Sequence, residues 1–304
     1  MSVSIFPGDR EGRRRTWVWA VPFLLVIIFF AGQILAIVPA IESGMIAEDE
    51  IETYPNILYM LTVLFGSVLV LLGLWVKFFE GRGLASMGMI LESQAKNKLG
   101  WGYGVGLVMA TASVVGIWAF GGYSVERPQN FALVSYAPIC FLALGFLVQS
   151  SVEEIMFRGW MLSRVSERFG LWAGILSNAT LFTLMHVDFS GDEAFSLIDF
   201  SIFISMTMLF SIFLSFLAIR QKSVWGACAW HAAWNWSFIT WFGLPTTGIA
   251  LDITPLWVDL VMDESQANWV TGGAAGPENS AITMVVLLIG CALLYRSVRK
   301  TLTA

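Results

Sequence analysis

Paired carboxylates interrupt an otherwise apolar part of the chain. Glu153 and Glu154 stand next to each other, and Arg158 follows Glu154 by four residues, so that these two side chains share one face of a helix and can pair. A carboxylate in apolar surroundings can take a proton from water, because the low dielectric raises its pKa toward neutrality. The structural alternative is an ion pair at the inner edge of a membrane.

Both histidines of the chain, His186 and His231, lie in stretches without charge, and Asn235 follows His231 at helical spacing. Two histidines and a carboxylate, here His186, His231 and Glu153, can hold a zinc or another divalent ion with an open position. A histidine and an asparagine can instead donate hydrogen bonds to a developing oxyanion. These groups suit the hydrolysis of an amide bond, and they suit a proton relay in a transporter equally well.

The remainder of the chain indicates a membrane protein. Of the 304 residues, 57% are hydrophobic and 13% charged, whereas soluble domains carry about 25% charged residues. The mean hydropathy of +0.73 and the net charge of −5 exclude a soluble enzyme and a nucleic-acid partner. Eight stretches of 17 residues or more lack Asp, Glu, Lys and Arg: 16–41, 53–76, 99–125, 128–152, 169–187, 200–219, 223–251 and 279–295. Because about 20 apolar residues span a bilayer as a helix, the sequence predicts an all-α, multi-pass membrane helical bundle with eight transmembrane helices.

The positions of the basic residues predict the orientation of this bundle. With both termini inside, 16 of the 17 Lys and Arg residues fall on the inner side, and Arg127 is the exception. We therefore expect a mobile N-terminal cytoplasmic tail over 1–15 and a single membrane domain over 16–304, in a cell (inner) membrane. The predicted outer loop covers about 243–280. Its segment 255–269 forms either a short interfacial helix or an irregular loop.

Depth along the predicted helices brings the polar groups to similar levels. Glu153 lies 17 residues before a predicted helix stop at Gly170, and His186 lies 16 residues after it. At 1.5 Å per residue, both are about 25 Å from that turn. His231 and Asn235 enter the seventh helix from the same side, at about 12 and 18 Å. We expect Glu153, His186 and Asn235, with His231 near them, to converge inside the membrane.

Three motifs in this order resemble the signature of the CPBP family, the CAAX-processing and bacteriocin-processing intramembrane proteases also called ABI proteins. The resemblance covers residues at about 138–240. The motifs are Glu153-Glu154-x-x-x-Arg158-Gly159-Trp160, Phe182-x-x-x-His186 and His231-x-x-x-Asn235.

The resemblance implies a hydrolase, an intramembrane endopeptidase of the metallo or glutamate type. Its substrate would be a membrane-associated or prenylated, CAAX-like peptide or protein, with membrane lipid as the other partner and no nucleic acid. Glu153 would activate water with help from His186. Zn²⁺ or another divalent ion on His186, His231 and Glu153 stays open, since the chain lacks the His-Glu-x-x-His zinc motif.

The other motif residues would support this reaction. By position, Glu154 and Arg158 would pair and orient the site, and His231 and Asn235 would form the oxyanion hole. One alternative is a member of the family that keeps the fold and acts as a non-proteolytic scaffold or regulator of membrane partners. A proton-coupled transporter is a further alternative, which predicts an inverted repeat that the sequence does not show.

Overall fold

The structure is a computed structural model that describes residues 4–6, 14–127, 136–187 and 196–302. Eight long helices occupy most of these ranges, and we number them in chain order. They are α1 (Val18–Glu42), α2 (Ile57–Glu80), α3 (Ala95–Ala119), α4 (Tyr136–Phe169), α5 (Leu171–Met185), α6 (Leu197–Gln221), α7 (Trp225–Phe242) and α8 (Ala281–Leu302). Each charge-free stretch of the sequence overlaps one of them.

Six of these helices are long and apolar enough to cross a membrane, so the chain is an integral, multi-pass membrane protein with an all-α bundle. The other two are α5, with 15 residues, and α7, which carries His231, Asn235 and several tryptophans. Both hold motif residues, and α5 buries seven of its 15 residues while Trp172 and Leu184 are exposed. The count of eight spans and the inside position of the termini stay predictions. The segments 1–3, 7–13 and 128–135 of the predicted tail and fourth span lie outside the described residues.

Helix α7 forms the centre of the bundle. It packs against α3 and α4, and more lightly against α6, and 15 of its 18 residues are buried. The outer helix α1 has large exposed apolar side chains, among them Phe23 and Leu35. This distribution is typical of a membrane bundle, in which polar groups face inward and lipid covers the apolar exterior.

Close packing of α3 on α7 depends on glycines spaced by four residues. A Cβ on Gly102 would lie 2.2 Å from the carbonyl oxygen of Gly226, and a Cβ on Gly106 would lie 2.5 Å from that of Trp230. Small residues at this spacing let two helix backbones approach each other in a membrane. The contact therefore fixes α7, and with it the motif residues His231 and Asn235.

We expect Gly102→Ala to lower the free energy of unfolding by about 1–3 kcal/mol, since the added methyl group meets backbone that cannot give way. Gly104→Ala, two residues away on α3, is the matched control because nothing lies within 4 Å of its Cβ position. Unfolding of both variants in mixed detergent micelles would measure the difference. Equal stability of the two variants would contradict the packing described here.

Helix α4 runs for 34 residues and contains a wider, π-helical turn at Ile155–Met161, directly after the paired glutamates. Such turns are rare and frequently occur at functional sites. The helix ends at Phe169 because Gly170 takes φ +90°, a conformation that other residues adopt only with strain. The predicted helix stop at Gly170 is confirmed.

The interfacial-helix alternative for the segment 255–269 is wrong. The segment contains the strand β2 (Asp259–Met262), which pairs antiparallel with β1 (Tyr123–Arg127) directly after α3. The pairing satisfies backbone groups of two loops.

Two residues of the predicted tail, Ile5 and Phe6, are buried, and the ring of Phe6 lies against Gly88. Burial of apolar side chains stabilises this contact. The mobility of the tail stays a prediction.

Candidate active site

Helix α4 presents two adjacent pairs of polar residues to the interior, and the pairs lie one helical turn apart. Glu153 and Glu154 lie just before the π-helical turn, and Gln149 and Ser150 lie one turn earlier. All four are buried, and Glu154 has no exposed surface. Gln149 Nε2 donates a hydrogen bond of 2.7 Å to Glu153 Oε1, which holds this carboxylate in place.

Glu154 lies between Arg158 and His231. Arg158 Nη1 donates to Glu154 Oε1 at 3.0 Å, and both side chains are 0% exposed. The Nδ1 atom of His231, a residue of α7, lies 2.9 Å from the same oxygen. The predicted pairing of Glu154 with Arg158 is confirmed. Because a carboxylate only accepts, Nδ1 of His231 carries a proton and donates it to Glu154.

Glu153 and His231 face each other across a short gap. Glu153 Oε2 lies 4.0 Å from His231 Nε2. In the part of the chain that the structure describes, this carboxylate oxygen is buried and has no hydrogen-bond partner. A buried carboxylate oxygen without a partner costs free energy, and such a group is a candidate for chemistry.

Asn235 extends the polar network by one turn of α7. Its Nδ2 donates a long hydrogen bond of 3.5 Å to Gln149 Oε1, which also accepts from Ser150 Oγ at 3.0 Å. Gln149 thus joins Asn235 to Glu153. Sequence reasoning missed Gln149, although a glutamine four residues before Glu153 in a charge-free stretch is the kind of signal that could have found it.

His186 directly follows the C-terminal end of α5. Its Nδ1 donates to the carbonyl oxygen of Phe182 at 2.7 Å, and the two rings are 4.3 Å apart. The expectation that His186 lies beside Glu153 stays a prediction, whereas Glu153 and His231 approach each other to 4.0 Å.

The long loop after α7 reaches the neighbourhood of His186. Burial raises the pKa of Glu278, and hydrogen bonds from Thr247 and Thr246, together with the charge of His186, act in the opposite direction. The backbone N–H of Thr247 and the hydroxyl of Thr246 both donate to this carboxylate. Glu278 lies far along the chain from the motifs, and no sequence pattern identifies it.

Aromatic rings enclose the buried charges. The guanidinium carbon of Arg158 lies 4.5 Å from the ring centre of Phe182, and Phe210 of α6 packs edge-on against His231 at 4.9 Å. Trp230 and Trp234, stacked at 4.8 Å, lie fully buried on the far side of Phe210. These rings keep the site apolar, which strengthens every electrostatic interaction within it.

The structure brings together Glu153, Glu154, Arg158, His231 and Asn235, the last through Gln149, and His186 bonds to the backbone of Phe182. Within the described ranges, no three His, Cys, Asp or Glu side chains are arranged to hold a metal ion. Glu153 Oε2 and His231 Nε2 would be two donors, and His186 does not complete a set with them. The zinc hypothesis stays a prediction, and no step of the chemistry below depends on it.

Comparison with known proteins identifies the region that holds the site. Residues 135–237 match the family model described as type II CAAX prenyl endopeptidase Rce1-like. The match runs from the start of α4 into α7 and leaves the flanking helices outside it. No curated protein matches the chain as a relative.

Proposed function

We propose that this chain, whose residues 135–237 match the family model described as type II CAAX prenyl endopeptidase Rce1-like, is an intramembrane endopeptidase that hydrolyses a peptide bond with water activated by Glu153. Its substrate is a membrane-associated or prenylated, CAAX-like peptide or protein. The protein resides in the cell (inner) membrane with both termini inside.

The observation that carries this proposal is the gap between Glu153 Oε2 and His231 Nε2. The two atoms are 4.0 Å apart, and the carboxylate oxygen is otherwise without a partner in the described residues. A water molecule between Glu153 Oε2 and His231 Nε2 can hydrogen bond to both groups. Gln149 holds the other carboxylate oxygen, so that the free one is aimed at that position. General-base catalysis needs this arrangement of a fixed carboxylate and a bound water.

Glu154 and Arg158 support His231 and do not meet the water. The bond from His231 Nδ1 to Glu154 orients the imidazole and stabilises its protonated form. Glu153 then passes the proton that it took from the attacking water to the unprotonated Nε2 of His231, 4.0 Å away, and this turns Nε2 into a donor. It can then stabilise the oxyanion or protonate the leaving amine. Asn235, one turn away, supplies the second donor once Gln149 releases its weak hydrogen bond.

Comparison of protein termini in native membranes tests the activity and identifies the substrate in the same experiment. One sample expresses the wild type and the other expresses Glu153→Gln at the same level. We expect new N- and C-termini that occur only with the wild type, and the proteins that carry them are the substrates. Identical termini, together with a cellular phenotype that both forms rescue equally, would replace this proposal by a scaffold function.

We also expect His231→Ala to lower kcat by about 10²–10³, with a much smaller change in KM, because the imidazole acts on the transition state. Cleavage kinetics in proteoliposomes would measure both constants. Asn178→Ala, a substitution of a buried amide on α5 that bonds to Ser215, is the control for general disturbance of the bundle. A rise in KM at unchanged kcat for His231→Ala would count against the proposed role.

A further inference from the structure

A cavity of about 540 Å³ lies where α1 begins and α4 ends, away from the site described above. Arg164, on its wall, is eleven residues along α4 from Glu153, which corresponds to roughly 16 Å. Both helices are long and apolar enough to cross a membrane, and both terminate here. A position at which two candidate spans end together lies at the surface of the bilayer.

Three arginines and one glutamate line this cavity: Arg15, Arg164, Arg168 and Glu167. Glu167 accepts from Arg164 Nη1 at 2.8 Å and also pairs with Arg15. One acid thus serves two of the three cations, and the lining carries a net charge of +2. The nearby Glu80 does not change this balance, since Arg82 donates two hydrogen bonds to it.

Arg164 has a donor that no described residue satisfies. The side chain is only 5% exposed, and among the described residues its Nε has no hydrogen-bond partner. The closest carboxylate oxygen to this nitrogen, Glu80 Oε1, is 4.0 Å away, beyond hydrogen-bond distance. A buried, fixed guanidinium with a free donor beside a cavity indicates that an anion binds there.

Two tryptophans on the same wall indicate the environment of that anion. Trp17 and Trp19 are 71% and 59% exposed, and the ring of Trp19 lies 5.2 Å from that of Phe169, the last residue of α4. Exposed tryptophans at helix ends are typical of the headgroup layer of a membrane. The cavity is therefore accessible to lipid headgroups and lies at their depth.

We infer that this cavity binds the phosphate group of an anionic glycerophospholipid. The planar guanidinium of Arg164 supplies directed donors, and Arg15 and Arg168 at the rim supply the remaining charge that a phosphate requires. The acyl chains would extend along the apolar surface of α1 below Trp19. The inference does not depend on the proposed proteolytic function.

Native mass spectrometry of the full-length protein, released from detergent with added phosphatidylglycerol, tests this inference. The test variant is Arg15→Gln/Arg168→Gln, and the control is Arg220→Gln/Arg296→Gln, which removes the same charge from two exposed arginines outside the cavity. We expect the test variant to bind phosphatidylglycerol about tenfold more weakly or worse, and the control to bind like the wild type. Phosphatidylcholine should bind weakly to all three.

Several outcomes would overturn the inference. Equal losses of phosphatidylglycerol binding in the two double variants would indicate that diffuse surface charge attracts the lipid. Wild-type binding by the test variant would show that the lipid does not bind in this cavity. Displacement of phosphatidylglycerol by an equal concentration of inorganic phosphate would identify a soluble anion as the occupant. Thermal unfolding without lipid checks that both variants are folded. If the test variant is not folded, the single substitution Arg168→Gln, at an exposed position, replaces it.

Discussion

Glu153→Gln should abolish cleavage and leave the fold unchanged. The substitution keeps the size of the side chain, and its amide oxygen can still accept the hydrogen bond from Gln149 Nε2. It removes the carboxylate that takes the proton from water, and general-base catalysis contributes about 10²–10⁴ in rate. We therefore expect kcat to fall by about that factor, measured on a prenylated CAAX peptide in proteoliposomes.

The control for this result is Glu264→Gln, which removes a carboxylate from an exposed position of the α7–α8 loop. It should cleave like the wild type, and both variants should show wild-type unfolding. Full activity of Glu153→Gln would refute the assignment of Glu153 as the general base. It would leave the match to the family model unaffected, since that match rests on residues 135–237 as a whole.

Arg158→Met should have the largest effect on stability. Arg158 and Glu154 are both fully buried, and each carries a charge that the other compensates. Without the guanidinium, Glu154 keeps His231 as its one partner among the described residues, in a site lined by aromatic rings. Removal of one partner of a buried ion pair costs about 3–5 kcal/mol, which we expect as the loss in free energy of unfolding in mixed micelles.

A double-mutant cycle separates the lost ion pair from lost packing. In Glu154→Gln/Arg158→Met no charge is left uncompensated, and we expect most of the stability to return. Arg296→Met, at an exposed position on α8, is the control for removal of an arginine and should be neutral. Additive losses in the double variant would show that the two side chains do not stabilise each other.

The two stability predictions concern different levels of the fold. The glycine contact between α3 and α7 aligns two helices, and its signal, Gly102-x-x-x-Gly106, is visible in the sequence, although the partner helix is not. The Glu154–Arg158 pair is local, at i,i+4 on one helix, and could be predicted from spacing alone. What spacing did not show is that His231 of α7 shares the same carboxylate oxygen.

The sequence by itself determined the eight helical segments, the long α4 that ends at Gly170, the pairing of Glu154 with Arg158 and the residues that carry the family motifs. These features depend on hydropathy, local spacing and glycine conformation, which act within one segment of chain. The β1–β2 pairing and the burial of Phe6 depend on contacts between distant segments, and sequence reasoning missed both.

Only the tertiary structure decided that His231 approaches both glutamates. Depth along the helices placed His186 and Glu153 at the same level, but depth does not specify the rotation of a helix about its axis. Helix α5 ends just before His186, so that the imidazole bonds to its own backbone, whereas the glycine contact with α3 fixes α7 and directs His231 to both glutamates. Helix rotation is set by packing between neighbours, and that information is distributed over residues far apart in the chain.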